Sequence, residues 1–358
     1  MTILLQIIKI IGDSYEEYED YDGDLGSVCQ EAAEQIAEML ETGLPDDLLK
    51  NLTDELSILI KNSNYDNYDL ADLDEILFLV SLKTSDFDNG ILIIDGVLKS
   101  EPDSFRTHSL VKSKIELLEK EDKKDEVEKV ISQYLYLPEI RKIRLNELIS
   151  GKQYEQAIAL IDEGIDLAEK KSHPGTVSDW KDEKLSVYQL MGNKEKIVVL
   201  AEDLFITGRN SMKYYHILKN VIPTEKWANY LDDFLSKSGK RQKWGLGDVL
   251  AKIYIEEKYW DRLMSYVEKN IHLGKYCSLG EYESYLKKQY PERMLAYYRT
   301  QITNYAANNM GRDHYKYVSD VLKTMRKYPG GNEIVNNLLT HFKSVYSNRC
   351  AMMEELGK

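Results

Sequence analysis

"GKQYEQAIALIDEGIDLAEK", Gly151 to Lys170, places apolar or small residues at Tyr154, Ala157, Ile158, Ile161, Gly164, Ile165 and Ala168. Steps of three and four put them on one face of an α-helix, whereas a strand would alternate every second residue. A helix with such a stripe buries it only against neighbours, so the fold depends on whether the rest of the chain supplies more of the same.

It does. Periodicity and breakers predict a first helix over 1–11, with Ile3, Leu4, Ile7, Ile8 and Ile11 on one face. Segments follow near 25–42, 46–61, 70–83, 88–99, 104–120, 123–136 and 139–150. They continue near 153–170, 177–191, 194–207, 211–221, 224–237, 246–257 and 259–271, then 279–289, 292–308, 313–328 and 332–347. Pro45, Pro138, Pro223 and Pro291 sit where a first helical turn tolerates a missing N–H, and Gly151, Gly192 and Gly330 where helices end. Only 7 Pro and 20 Gly in 358 residues leave little room for the turns of an all-β protein. "ILIID" at Ile91–Asp95 is too isolated to be a sheet.

Short connectors imply antiparallel neighbours stacked in chain order. "SGKQYEQAIALIDEGI" aligns with "MGNKEKIVVLAEDLF" by matching Gly151 to Gly192, which sets Ala157 over Val198. "EEKYWDRLMSYVEKN" repeats the logic with Trp260 and Leu263, and "EDKKDEVEKVISQYL" with Val127, Val130 and Ile131. The step from Gly151 to Gly192 departs from the roughly 34 residues of a regular tetratricopeptide repeat. The expected fold is all-α: a right-handed α-α superhelix, an irregular tetratricopeptide-like helical-repeat solenoid. An acidic helical region, 1–150, continues into degenerate repeats over 151–358.

The formal net charge is −14. Residues 1–80 carry 20 acids and 3 bases, and residues 281–358 carry 8 acids and 12 bases. The acidic end would repel a phosphate backbone, so general nucleic-acid binding is not expected. The basic, Tyr-rich C-terminal end is the one region where an alternative, nucleic-acid-associated role could reside. No stretch reaches the roughly 18 uninterrupted apolar residues of a membrane span, and Lys9 interrupts the apolar start. Cys29, Cys277 and Cys350 are odd in number and far apart, which fits neither a disulfide framework nor a zinc knuckle. A cytoplasmic location is the expectation.

The stretch from Gly151 to Glu355 contains "YEQAIALIDEGIDLA", "HPGTVSDW", "AEDLFITGRNSMKYY", "AKIYIEEKYWDRLM" and "RDHYKYVSDVLKTMRKYPGGNEIVNNLLTHFKSVYSNR". In these blocks it resembles the helical region that follows the zinc finger in bacterial SWIM zinc-finger proteins. "EAAEQIAEMLETG" is similar to the start of that region. The resemblance implies the helical fold without the finger, because none of the three cysteines stands in a CxC or CxH pair. No zinc-dependent contact carries over to a residue here.

Two sites suggest themselves. In "DYDGDLGSVCQE", Asp20, Asp22, Asp24 and Glu31 occupy positions 1, 3, 5 and 12 of an EF-hand loop, a calcium candidate. Position 6, which needs Gly, is Leu25, and the competing reading is a solvated loop whose acids favour a helix N-terminus. In "RDHYKYVSDVLKTMRKY", Val318, Val321, Leu322 and Met325 form an apolar face, while Arg312, Lys316, Lys323 and Lys327 share a basic stripe suited to an acidic protein partner. An ordinary solvated face is the alternative. Of 26 tyrosines, 14 fall between Tyr254 and Tyr346, available to line a peptide groove or to fill helix contacts.

The six histidines form no HExxH, and GxSxG, Walker and GxGxxG motifs are missing, so no enzyme chemistry or cofactor is expected. A non-catalytic scaffold that binds a protein or peptide is the expected function.

Overall fold

The computed structural model describes residues 1–15, 23–62, 72–100, 106–207, 209–241, 247–274 and 279–357. Among them are twenty α-helices and no strand. The first ten are α1 (Thr2–Ser14), α2 (Asp24–Thr42), α3 (Asp46–Leu59), α4 (Leu73–Thr84), α5 (Phe87–Ser100), α6 (Thr107–Lys120), α7 (Lys124–Gln133), α8 (Pro138–Ser150), α9 (Tyr154–Lys170) and α10 (Pro174–Met191). The second ten are α11 (Lys194–Thr207), α12 (Ser211–Val221), α13 (Thr224–Arg241), α14 (Gly247–Glu256), α15 (Trp260–Asn270), α16 (Leu279–Leu286), α17 (Pro291–Asn308), α18 (Arg312–Met325), α19 (Gly331–Val345) and α20 (Cys350–Leu356). Pro138, Pro174 and Pro291 each open a helix, where the absent N–H has no partner to lose.

What repeats is the turn. Ser85, Asp122, Lys152, Ser172, Gly192 and Lys258 all lie in the left-handed region, with φ between 56° and 68°. In every case the next helix begins two residues later. Five of these turns carry the same pair of bonds. At Lys152 its N–H donates to the Ile149 carbonyl (2.9 Å), and the N–H of Gln153 to that of Leu148 (2.8 Å). Bonds three and five residues back satisfy carbonyls at the end of the outgoing helix, the Schellman arrangement. The residue five places after the left-handed one then closes the first turn of the new helix: Gly90, Val127, Ala157, Val177, Ile197 and Leu263. These side chains are apolar or lacking, and they sit at helix contacts. Matching Gly151 to Gly192 is therefore one residue out of register. Lys152, at φ 56°, is the counterpart of Gly192, and Ala157 corresponds to the buried Ile197 rather than Val198.

Helices joined by two or three residues must double back, and the packing follows. Every substantial helix contact among the described residues links neighbours one or two places apart in sequence, as α5 with α6 or α4 with α6. That is the connectivity of a stacked helical-repeat solenoid, not of a closed bundle. The chain divides into two compact units, Met1–Leu200 and Ala201–Lys358, the division falling inside α11. In the first unit one apolar cluster runs from Leu5 to Ile140 and another from Leu145 to Val187. In the second, a cluster runs from Ala251 to Leu356.

The opening stretch becomes α9. Ala157, Leu160, Ile161, Gly164 and Ala168 are buried, with Tyr154, Ile158 and Ile165 half-buried against the cluster. Gly164 is there because α10 and α8 come too close for a side chain. A β-carbon on it would lie 2.9 Å from Trp180 and 3.1 Å from Arg141. Arg141, itself buried, donates to the Leu160 carbonyl at 2.8 Å and pairs with Glu163 at 3.2 Å, tying α8 to α9.

Two expectations change. In α1 the buried residues are Leu5, Ile8 and Gly12, with Leu4, Ile7 and Ile11 half-buried, whereas Ile3 is 76% exposed; the buried stripe is rotated by about a quarter turn from the one that includes Ile3. A final helix, α20, extends beyond the last predicted segment, its Met352 and Leu356 buried.

Candidate functional site

The basic stripe is built on α18. Val318, Val321, Leu322 and Met325 are buried as expected, together with Tyr315 and Ser319. Lys316, Lys323 and Lys327 are exposed. Lys316 has Asp313 at 4.0 Å and Lys323 has Asp320 at 3.7 Å, so both charges are partly offset one turn away. Arg312, also exposed, is committed to an ion pair. Its guanidinium bonds Glu354 at 2.6 Å and Glu355 at 2.9 Å, docking α20 on α18.

Other cations of this unit are consumed similarly. Arg293 on α17 reaches Asp261 (2.7 Å) and Glu268 (2.6 Å) on α15. Arg262 on α15 holds Asp232 on α13 through two bonds of 2.7 and 2.9 Å. Of the 12 bases counted over residues 281–358, Arg293 and Arg312 are thus committed to ion pairs between helices.

Of the calcium candidates, Asp20 and Asp22 lie outside the described residues. Asp24 and Glu31 both belong to α2. Seven residues of helix separate them by about 10 Å along the axis, too far for one ion whose ligands lie at about 2.4 Å. No group of three or more His, Cys, Asp or Glu among the described residues could hold a metal.

Tyrosine serves packing first. Tyr297, Tyr298, Tyr315 and Tyr328 are buried, and Tyr298 meets Tyr328 edge-on at 6.0 Å. Glu257, just after α14, gathers three donors. It accepts from Trp227 Nε1 (2.9 Å), from Lys219 (2.8 Å) and from the Tyr215 hydroxyl. Burial alone would raise its pKa, but these donors together outweigh burial and hold the carboxyl below its ordinary value. Burial, then the bond to Glu257, push the Tyr215 phenol far above its usual range. With three donors on it, Glu257 ties α12, α13 and α14 together.

Among the described residues, grooves open between alternate helices at two places that motif reading did not find. The first, about 470 Å³ between α2 and α4, is lined by Glu34, Glu38, Glu41, Asp72 and Glu75, with no basic residue. Its one amide, Gln30, donates to Asp72 at 3.0 Å. The second, about 410 Å³ between α17 and α19, has Arg299, Thr300, Thr303, Asn304, Asn337 and His341 over Ile334 and Leu338, with no acid. The Thr hydroxyls bond the helix carbonyls of Ala296 and Arg299. The side-chain polar groups of Arg299, Asn304, Asn337 and His341 make no hydrogen bond or ion pair among the described residues. The signal was present as polar residues at i and i+4 or i+5 (Asn337 and His341, Arg299 and Asn304), but such spacing also describes any solvated face.

No family model and no curated protein matches the chain. Among solved structures it is similar to one described as "Structure of Naa15/Naa10 bound to HypK-THB", at 13% identity and a TM-score of 0.32. The match covers 95% of this chain and 63% of that chain, so this chain spans under two thirds of its length. A TM-score that low does not establish a common arrangement of helices, and the fold rests on the helices and turns themselves. No helix among the described residues is long and apolar enough to cross a membrane.

Proposed function

We propose that the chain is a non-catalytic scaffold that holds protein or peptide partners in the grooves between alternate helices. The observation that carries this reading is the pair of grooves of opposite character: α2/α4 lined by carboxylates, α17/α19 lined by one guanidinium, two amides and an imidazole. Stacked helix pairs leave such surfaces on one layer by construction, because the intervening helix packs on the other. Ion pairing of Arg293 and Arg312 draws two cations of the basic C-terminal region away from the nucleic-acid alternative.

Affinity capture from a cell extract tests the proposal with three baits: the native chain, Glu34→Lys with Glu38→Lys, and Arg299→Glu with Asn337→Ala. The expected result is one stoichiometric protein that a single groove variant loses. Capture indifferent to both variants, or retention of nucleic acid that falls steeply with salt, would count against it.

A further inference from the structure

We infer that the α17/α19 groove recognises a peptide segment through a carboxylate, either an Asp or Glu side chain or a free C-terminus. This deepens the scaffold reading and rests on it.

Arg299 is the deciding residue. In the same unit Arg262, Arg293 and Arg312 are neutralised by carboxylates, whereas Arg299 has no such partner among the described residues, although it lines a groove. A guanidinium presents a planar fork of donors that fits a carboxylate with two parallel bonds. No acid lines the groove, so the ligand would supply the only negative charge there.

Asn304 on α17 and Asn337 on α19 argue for a peptide. A primary amide both donates and accepts, as a peptide unit does, so each can pair with a ligand's backbone N–H and C=O. The buried Leu338 and half-buried Ile334 below them offer an apolar floor for an adjacent side chain. A nucleic-acid strand fits less well, because its repeating phosphates call for a row of cations and the lining has one permanent charge. A purely apolar ligand would strip water from four polar side chains and give nothing back. The groove's 410 Å³ matches recognition of a few residues rather than a folded domain.

The test is a positional-scanning hexapeptide library, synthesised with free and with amidated C-termini, offered to the full chain, followed by fluorescence anisotropy of the best labelled peptide. The expected result is selection of Asp or Glu at one position, or of the free terminus. Arg299→Ala should weaken that peptide about tenfold or more, since charge-assisted bonds are the strong ones. Lys323→Ala should leave it unchanged, which separates the groove from general attraction to the basic end. Both residues are exposed, so circular dichroism and melting temperature should stay as in the native chain. Peptides retained with no acidic preference, or an acidic preference that survives Arg299→Ala, would overturn the carboxylate assignment and leave the scaffold reading standing. Retention of no peptide would overturn this groove as a peptide site, while the capture experiment judges the scaffold reading on its own.

Discussion

At Gly164 a hydrogen does what no side chain can, because Trp180 and Arg141 already occupy the space a β-carbon would take. Gly164→Ala should destabilise by about 1–3 kcal/mol, the usual cost of overpacking, and a urea melt monitored by Trp fluorescence would measure it. The position was legible as part of an apolar rhythm, but its closeness to Trp180 was not, since sixteen residues and a turn separate the two. Glu257 gives a second test. Its pKa is lowered on folding, so its contribution is present above the ordinary carboxylate value and is lost as pH falls through the folded value. Glu257→Gln should therefore be less stable than the native chain near pH 7, and the gap should narrow below about pH 4.5. A gap independent of pH would mean that shape, not charge, matters there. No motif foretold this residue, because its three donors come from two other helices.

At the scale of elements, the repeat lies in the turn more than in the helix. Helix lengths were readable from apolar spacing, and most observed boundaries fall within a few residues of those predicted. The register between repeats was not, because glycine was taken as the marker of the left-handed residue and only one of the six such positions, Gly192, is glycine. Serine, aspartate and lysine hold the same conformation at Ser85, Asp122, Lys152, Ser172 and Lys258, and at the last four the two Schellman bonds help to offset the strain. Two substitutions should then act oppositely. Lys152→Gly should stabilise, and Gly192→Ala destabilise, each by about 1 kcal/mol, as thermal unfolding would show. Replacing Lys316, Lys323 and Lys327 together by Glu should leave the helical circular dichroism nearly unchanged, since all three are exposed, two on α18 and Lys327 just beyond it. A large loss of helicity would mean that this face is not solvent-facing.

For the whole molecule, the charge asymmetry legible in the sequence has a local counterpart within each unit: a carboxylate-lined groove in the first and a donor-lined groove in the second. Composition revealed the sign of each region but not which charges would be free, because ion pairs such as Arg312 with Glu355 join residues far apart in sequence. The central claim is that partners are held in these grooves. A photo-crosslinking amino acid placed in turn at Glu38, Asn337 and Lys323 of the full chain, activated in the native cell and read by mass spectrometry, tests it directly. The account predicts a discrete crosslinked protein from Glu38 or Asn337 and none from Lys323. Crosslinks from Lys323 alone would contradict it and move the interaction to the exposed face of α18.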